Sequence, residues 1–389
     1  IMQHLEKFVS AIQTNRPINA IKTAIIKLAY VNIAIAFLLF LITVFKVNSN
    51  PIYAQMYEIY CVAIALGMGY IVSEELTQDS QDHYKIITVL ISALMGNIFF
   101  ETEYITVYPI VVLLISVIVH YVMNFSDRLS IKSKIIPQAV SDYFNRIIPV
   151  LLILSLGIGL FLMLPSSLII IADIFISLTE IVSSLYFILL ITIIICSFWI
   201  LGIHGVGVIG TLVRPFWLYM MIVNGYLVLN SLPAKYIGTE AFLQWAVWIG
   251  GSGCTMGLSI LLLKFSRSKA LKELGNDSIV SNLFNINENI IFGVPIVDNK
   301  YFRIPFFVAP IACAIIAYIA FSTGWVTVPS VVSPWVLPAP IGIFISTLGD
   351  FKSIILSILL IGISTLVYLP FFRKYDQELY ELELLEKES

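Results

Sequence analysis

The run LAYVNIAIAFLLFLITVFKV, residues Leu28–Val47, sets the fold class. One charged residue, Lys46, interrupts it. Its length is about that of the ~20 apolar residues a helix needs to cross the hydrocarbon core of a bilayer. Runs of the same kind recur along the chain. Of 389 residues, 59% are apolar or aromatic and 12% are charged, roughly half the charged share of a soluble domain. Mean hydropathy is +0.96. A soluble enzyme, a disordered chain and a secreted disulfide scaffold are all excluded. The expected fold class is an all-α polytopic membrane protein.

Outward from Leu28–Val47, further spans are expected at Met56–Val72, Ile86–Phe100, Ile105–Met123, Ile147–Leu164, Leu185–Ile203, Val208–Leu229, Phe242–Phe265, Ile304–Thr323 and Ile354–Phe372, about ten in all. Ser166–Ser184 carries Asp173 and Glu180 and reads as an amphipathic helix lying along the membrane. Two apolar segments are too short and too broken to span: Phe284–Val297 with Pro295, and Val328–Ile345 with Pro329, Pro334, Pro338 and Pro340. Each is expected to enter and leave on one side. Irregular backbone survives at that depth only under protein cover or beside a wet cavity, and in transporters such broken segments mark the substrate site. The tail Lys374–Ser389 reads as a charged helical end, solvated and available for docking.

Lys and Arg in the loops set the orientation. Lys7, Arg16, Lys22 and Lys27 precede the first span, Arg128, Lys132, Lys134 and Arg146 follow the fourth, Lys264, Arg267, Lys269 and Lys272 follow the eighth, and Arg373 and Lys374 follow the last. All fall on one side if both termini are cytoplasmic, leaving Lys46, Lys235 and Lys352 opposite. No cleavable signal is expected, because the first apolar run lies behind a polar, amphipathic segment. Cys61, Cys196, Cys254 and Cys313 are far apart and show no CxxC or metal spacing, so neither a disulfide nor a metal is expected. A net charge of −2 gives no reason to expect a nucleic-acid partner.

Few polar residues fall inside apolar segments, and these are the site candidates. Glu288 lies in FNINENIIFG, where a carboxylate costs about 2.5–3.5 kcal/mol to insert and is a functional-site hypothesis by default. The plainer alternative is a loop Glu solvated at the membrane surface. Asn285 and Asn287 add amide groups suited to sugar hydroxyls. His204, in FWILGIHGVG, is either a helix-end imidazole bonded to a carbonyl or a site residue beside Gly202, Gly205 and Gly207, which permit a break. Arg214 either pairs with an acid or meets a ligand. Gly205-Val-Gly207-Val-Ile-Gly210 matches a dinucleotide fingerprint in letters alone, for no strand precedes it and the next acid is Glu240. Gly250-Gly-Ser252-Gly253 looks like a phosphate loop without its Lys, and its small residues serve helix packing or open room for a ligand. Trp335, among prolines, is either an interfacial anchor or a platform for a sugar ring.

Five motifs stand in order: IPQAVSDYFNRIIP (Ile136–Pro149), FWILGIHGVG (Phe198–Gly207), GGSGCTMGL (Gly250–Leu258), FNINENIIFGVPIVDN (Phe284–Asn299) and VPSVVSPWVLPAP (Val328–Pro340). Together they resemble the membrane IIC component of the phosphoenolpyruvate-dependent sugar phosphotransferase system, in its lactose/cellobiose/chitobiose branch. The resemblance implies an elevator-type fold and a permease for a β-linked disaccharide such as cellobiose, chitobiose or lactose. Transport would be coupled to phosphorylation by a separate cytoplasmic IIB protein served by IIA, with no cofactor in this chain.

Carried over motif by motif, Glu288 and His204 meet the hydroxyl that is phosphorylated. Trp335 stacks on a ring; from their own chemistry and placement, Asn285, Asn287, Ser252 and Arg214 are the further substrate-site candidates. The resemblance further implies a homodimer in the bacterial cytoplasmic membrane. Residues 1–164 would be a dimerisation scaffold, 165–184 a linker helix, 185–372 the transport part with hairpins at 284–297 and 328–345, and 373–389 a cytoplasmic tail. The chain departs from the family pattern at Asn289 and Lys300, where prolines are usual, and at Val336-Leu337, where two threonines are usual. A non-phosphorylating facilitator or sugar receptor on the same fold is the alternative. For an ion-coupled transporter the acids within the spans are too few and unpaired.

Overall fold

The computed structural model describes residues 2–44, 51–77, 85–91, 105–128, 138–163, 165–296 and 298–388. Their regular structure is helical, and they contain no strand. Six helices among them are long and apolar enough to cross a membrane, or seven if one bent pair counts as a span. The expected span Ile86–Phe100 is helical over 85–91 and otherwise lies outside the described residues, as do Lys46, Lys132 and Lys134.

The first apolar helix begins earlier than Leu28. Asn15 caps Arg16–Lys27 by accepting the Ile18 N–H at 3.0 Å, and Pro17 sits in the first turn, where a missing N–H costs nothing. At Leu28 the helix barely breaks, the Leu28 N–H still reaching Ala24 O at 3.1 Å, and Ala29–Val44 follows. The chain divides into two compact units, one of Ile1–Tyr30 and Ser49–Thr179 and one of Val31–Asn48 and Glu180–Ser389. In the first, Tyr108 and Val112 of the Tyr108–Arg128 helix pack on Ala65 of Pro51–Leu76.

In the second unit Phe40 meets Phe344 edge to face at 5.9 Å. Its interior holds Trp217, Trp245, Phe302, Phe306 and Tyr368, each almost wholly buried. A break at Ser183 and Ser184 separates the helices Pro165–Val182 and Leu185–Ile200. Ser184 starts the second by accepting the Phe187 N–H, while Ser183 Oγ accepts the Gly238 N–H at 3.1 Å.

The expected continuous span Phe242–Phe265 is broken. Helix gives way to a π turn at Leu243–Val247, then to a non-helical stretch through Thr255, before Met256–Phe265 resumes. Gly250, Gly251 and Gly253 adopt φ of +76°, +96° and +83°, a region closed to most residues with a side chain. Their density is the local reason the helix stops here. Val328–Ile345 forms a hairpin: an extended limb returns through the Ala339–Ser346 helix, and Ser330 N–H donates to Ser346 O at 2.8 Å. Its ends meet where Thr327 N–H donates to Asp350 Oδ2 at 2.8 Å.

The tail is not simply solvated. Phe351–Glu388 is one helix of 38 residues, and its acids cap another. Asp376, 4% exposed, accepts the N–H groups of Arg267 and Ser268 at 2.9–3.0 Å. Glu383 accepts those of Lys269 and Ala270. The helix Lys269–Leu283 thus has its orphan N-terminal donors met by carboxylates, which also suit the positive end of its dipole.

Candidate functional site

Within the second unit a cavity of about 320 Å³ is lined by Trp199, His204, Val206, Arg214, Glu240, Gln244, Trp248, Gly251, Ser252, Asn285, Ile286, Asn287, Glu288 and Trp335. That volume lies within the range of small-ligand clefts. All seven residues singled out in the sequence line it.

His204 is positioned by two helices. Leu185–Ile200 ends in a Schellman turn, with Gly202 at φ +75° and the N–H groups of Gly202 and Ile203 bonded to Trp199 O and Phe198 O. The next helix, Gly205–Leu229, starts with His204 as its cap, and the Gly207 N–H donates to Nδ1 at 2.9 Å. The imidazole accepts from an amide instead of donating to a carbonyl. Because Nδ1 is an acceptor, the neutral ring carries its proton on Nε2, and the exposed ring stands 4.7 Å from Trp199.

The glycines around it are structural. A Cβ on Gly205 would lie 2.4 Å from Ile195 O, and one on Gly207 2.9 Å from His204 Nδ1. Gly207→Ala is therefore expected to push the imidazole off its cap. Helix content and thermal stability should fall little, a cap being worth about 1 kcal/mol, while the Gly207 amide, its acceptor displaced, should exchange faster with solvent. Unchanged exchange at that amide would sink the cap as the ring's orienting bond.

Glu288 opens the short helix Glu288–Gly293. Its Oε2 is buried with no hydrogen-bond partner among the described residues. An ionised oxygen in that state is costly, and a ligand hydroxyl would relieve it. Arg214 is paired: its Nε donates to Glu240 Oε1 at 3.3 Å, so the ion pair foreseen as one of its two readings is present, at the cavity wall.

The broken helix and the NINEN segment are tied together by amides. Thr255 Oγ1 donates to Gly250 O at 2.6 Å and accepts from Asn282 Nδ2 at 3.1 Å and Asn287 Nδ2 at 2.9 Å. Asn287 also donates to Ser252 O at 2.7 Å, which leaves its Oδ1 as the acceptor available to a ligand. Asn285 Oδ1 accepts the Gly250 N–H at 3.1 Å, and its Nδ2 donates to Trp335 O and Leu337 O, both at 2.9 Å. Trp335 is 56% exposed. Val336 and Leu337 are not among the lining residues.

Sequence reasoning assigned no role to Trp199, Trp248, Glu240 or Gln244. Trp199 is five residues before His204 and was legible inside its motif. Trp248, T-shaped on Trp217 at 6.1 Å, and Gln244 reach the cavity only because the helix breaks around them. Glu240 carried no local signal, since its pairing with Arg214 spans 26 residues.

A fold that is helical among the described residues, with several apolar helices long enough to cross a bilayer, defines a multi-pass membrane protein. The model of the family "Phosphotransferase system, EIIC" matches residues 28–310, and the chain belongs to that family. Among its relatives, the putative permease IIC component YwbA of Bacillus subtilis is 37% identical over 188 residues, covering 48% of this chain and 42% of the relative. The lichenan permease IIC component of the same organism is 35% identical over 181 residues, covering 46% and 40%. The cellobiose-specific EIIC component of Geobacillus stearothermophilus is 34% identical over 183, covering 46% and 41%. In each case the match takes in less than half of the curated relative's length. The crystal structure of ChbC, the IIC component of an N,N′-diacetylchitobiose-specific phosphotransferase system, superposes with a TM-score of 0.79 at 22% identity, over 98% of both chains. That likeness establishes the fold.

Proposed function

We propose that the chain is the sugar-translocating IIC permease of a phosphotransferase system, carrying a β-linked disaccharide of the cellobiose, chitobiose or lactose type and presenting it for phosphorylation. One observation carries the reading: Glu288, with an unpartnered buried Oε2, His204, with Nε2 left free by its cap, and Trp335, itself exposed, line one cavity. Trp335 stacks on a sugar ring. His204 Nε2–H orients the hydroxyl that reacts. Glu288 takes that hydroxyl's proton as its oxygen attacks the phosphorus of a phosphocysteine on separate IIB; the S–P bond breaks and a thiolate leaves. Asn287 Oδ1, Ser252 and Arg214 meet further hydroxyls, and Asn285 takes part in the same site.

The chain works as a homodimer in a bacterial cytoplasmic membrane, with both termini cytoplasmic and its N-terminal part as scaffold. Its C-terminal part shifts as an elevator-like body, so that the cavity faces each side in turn.

Reconstitution tests this. Proteoliposomes holding the chain should accumulate phosphorylated cellobiose, diacetylchitobiose or lactose only when phospho-IIB is supplied. Uptake of unmodified sugar without IIB would instead make it a facilitator.

A further inference from the structure

We infer that Asn285 is a positioning residue: its carboxamide clamps the Gly250 turn and the Trp335 loop to the segment bearing Glu288, so that platform and carboxylate keep one geometry. Its sugar consequence rests on the reading of the cavity given above; the clamp itself does not.

The local backbone shows why the side chain matters. Asn285 lies at the end of Lys269–Leu283 with φ +63°. The Asn285 N–H donates to Asn282 O and the Ile286 N–H to Ser281 O, both at 2.9 Å, which is again a Schellman turn. Glycine is the usual residue at that position. Gly202 fills the equivalent place after Leu185–Ile200, where nothing lies within 4 Å of an added Cβ. At 285 the same turn carries an amide instead, and that amide reaches three groups on two other segments. Both Nδ2 hydrogens are spent and Oδ1 is already accepting, so one remaining lone pair is all Asn285 can offer a ligand. Its contribution therefore passes through Trp335 and the Gly250 turn, not through direct sugar contact.

The clamp also accounts for how Trp335 is held. The residue is exposed and its loop, 327–338, has no helix of its own. Two of the loop's carbonyls, those of Trp335 and Leu337, are fixed by this one side chain.

Asn285→Gly removes the clamp while keeping the turn, because glycine tolerates positive φ; Asn285→Asp keeps the Oδ1 acceptor and loses both donors. Hydrogen exchange on the purified chain should show faster exchange at the Gly250 amide and across 327–338 in Asn285→Gly, with Arg303–Ser322 unchanged. Titration with cellobiose, diacetylchitobiose and lactose should show affinity falling by about tenfold in Asn285→Gly, and nearly as far in Asn285→Asp. Because the effect passes mainly through Trp335, Asn285→Gly should weaken binding less in the Trp335→Ala background than in the unaltered chain. Unchanged exchange at Gly250 and 327–338 overturns the clamp, and additive losses overturn its route through Trp335. Failure of the unaltered chain to bind all three sugars would count against the sugar reading, while the exchange result would still decide the clamp.

Discussion

Glu288→Gln should lower the rate of disaccharide phosphorylation by roughly 10²–10⁴-fold, the usual worth of a positioned general base, and leave sugar binding within a few-fold of normal. Glutamine matches the shape of the side chain and can still accept a hydrogen bond, but cannot take a proton. The expected loss is therefore in turnover, with KM little moved. Stability should hold or rise slightly. Oε2 is buried without a donor, and an amide there removes the cost of an unpaired charge. The measurement is phosphoryl transfer from phospho-IIB in membranes, beside equilibrium binding of the same sugar. Normal turnover in Glu288→Gln would assign the proton to another group. A lost fold would show that the carboxylate is structural.

Gly253→Ala should destabilise the fold severely. At φ +83° a side chain strains the backbone by about 1–2 kcal/mol. The added Cβ would also lie 2.1 and 2.2 Å from ring atoms of Phe306, a residue with no exposed surface. Overpacking of this kind costs about 1–3 kcal/mol more. The ring has little room to yield, because Tyr368 Oη donates to Gly253 O at 2.8 Å and holds the turn in place. Gly362→Ala is the control, with nothing within 4 Å of its Cβ. Yield of monodisperse protein and its melting temperature should drop sharply for Gly253→Ala and stay level for Gly362→Ala. Equal behaviour of the two would mean that the broken helix tolerates repacking.

Much of this was legible in the sequence because burying polar groups in lipid is expensive. Glu288, His204, Arg214 and Asn287 stood out against apolar surroundings, and all line the cavity. The helical class followed from run length alone. The break at 248–255 was missed because Phe242–Phe265 has the composition of a span. Its glycines read either as packing residues or as room for a ligand, and only backbone geometry shows three of them at positive φ. The reach of the tail was equally hidden, since Asp376 and Glu383 act on a helix more than 100 residues away. Local pattern marks where polar groups sit, while pairing across the fold, as between Arg214 and Glu240, is set by packing.

The cavity as the sugar site is tested most directly by equilibrium titration of the purified chain with cellobiose, diacetylchitobiose and lactose, beside Trp335→Ala and His204→Ala. Expected is saturable one-to-one binding of at least one of these sugars, measurably weakened in both Trp335→Ala and His204→Ala while both variants stay folded. Binding of equal strength in all three proteins would contradict it and put the sugar elsewhere.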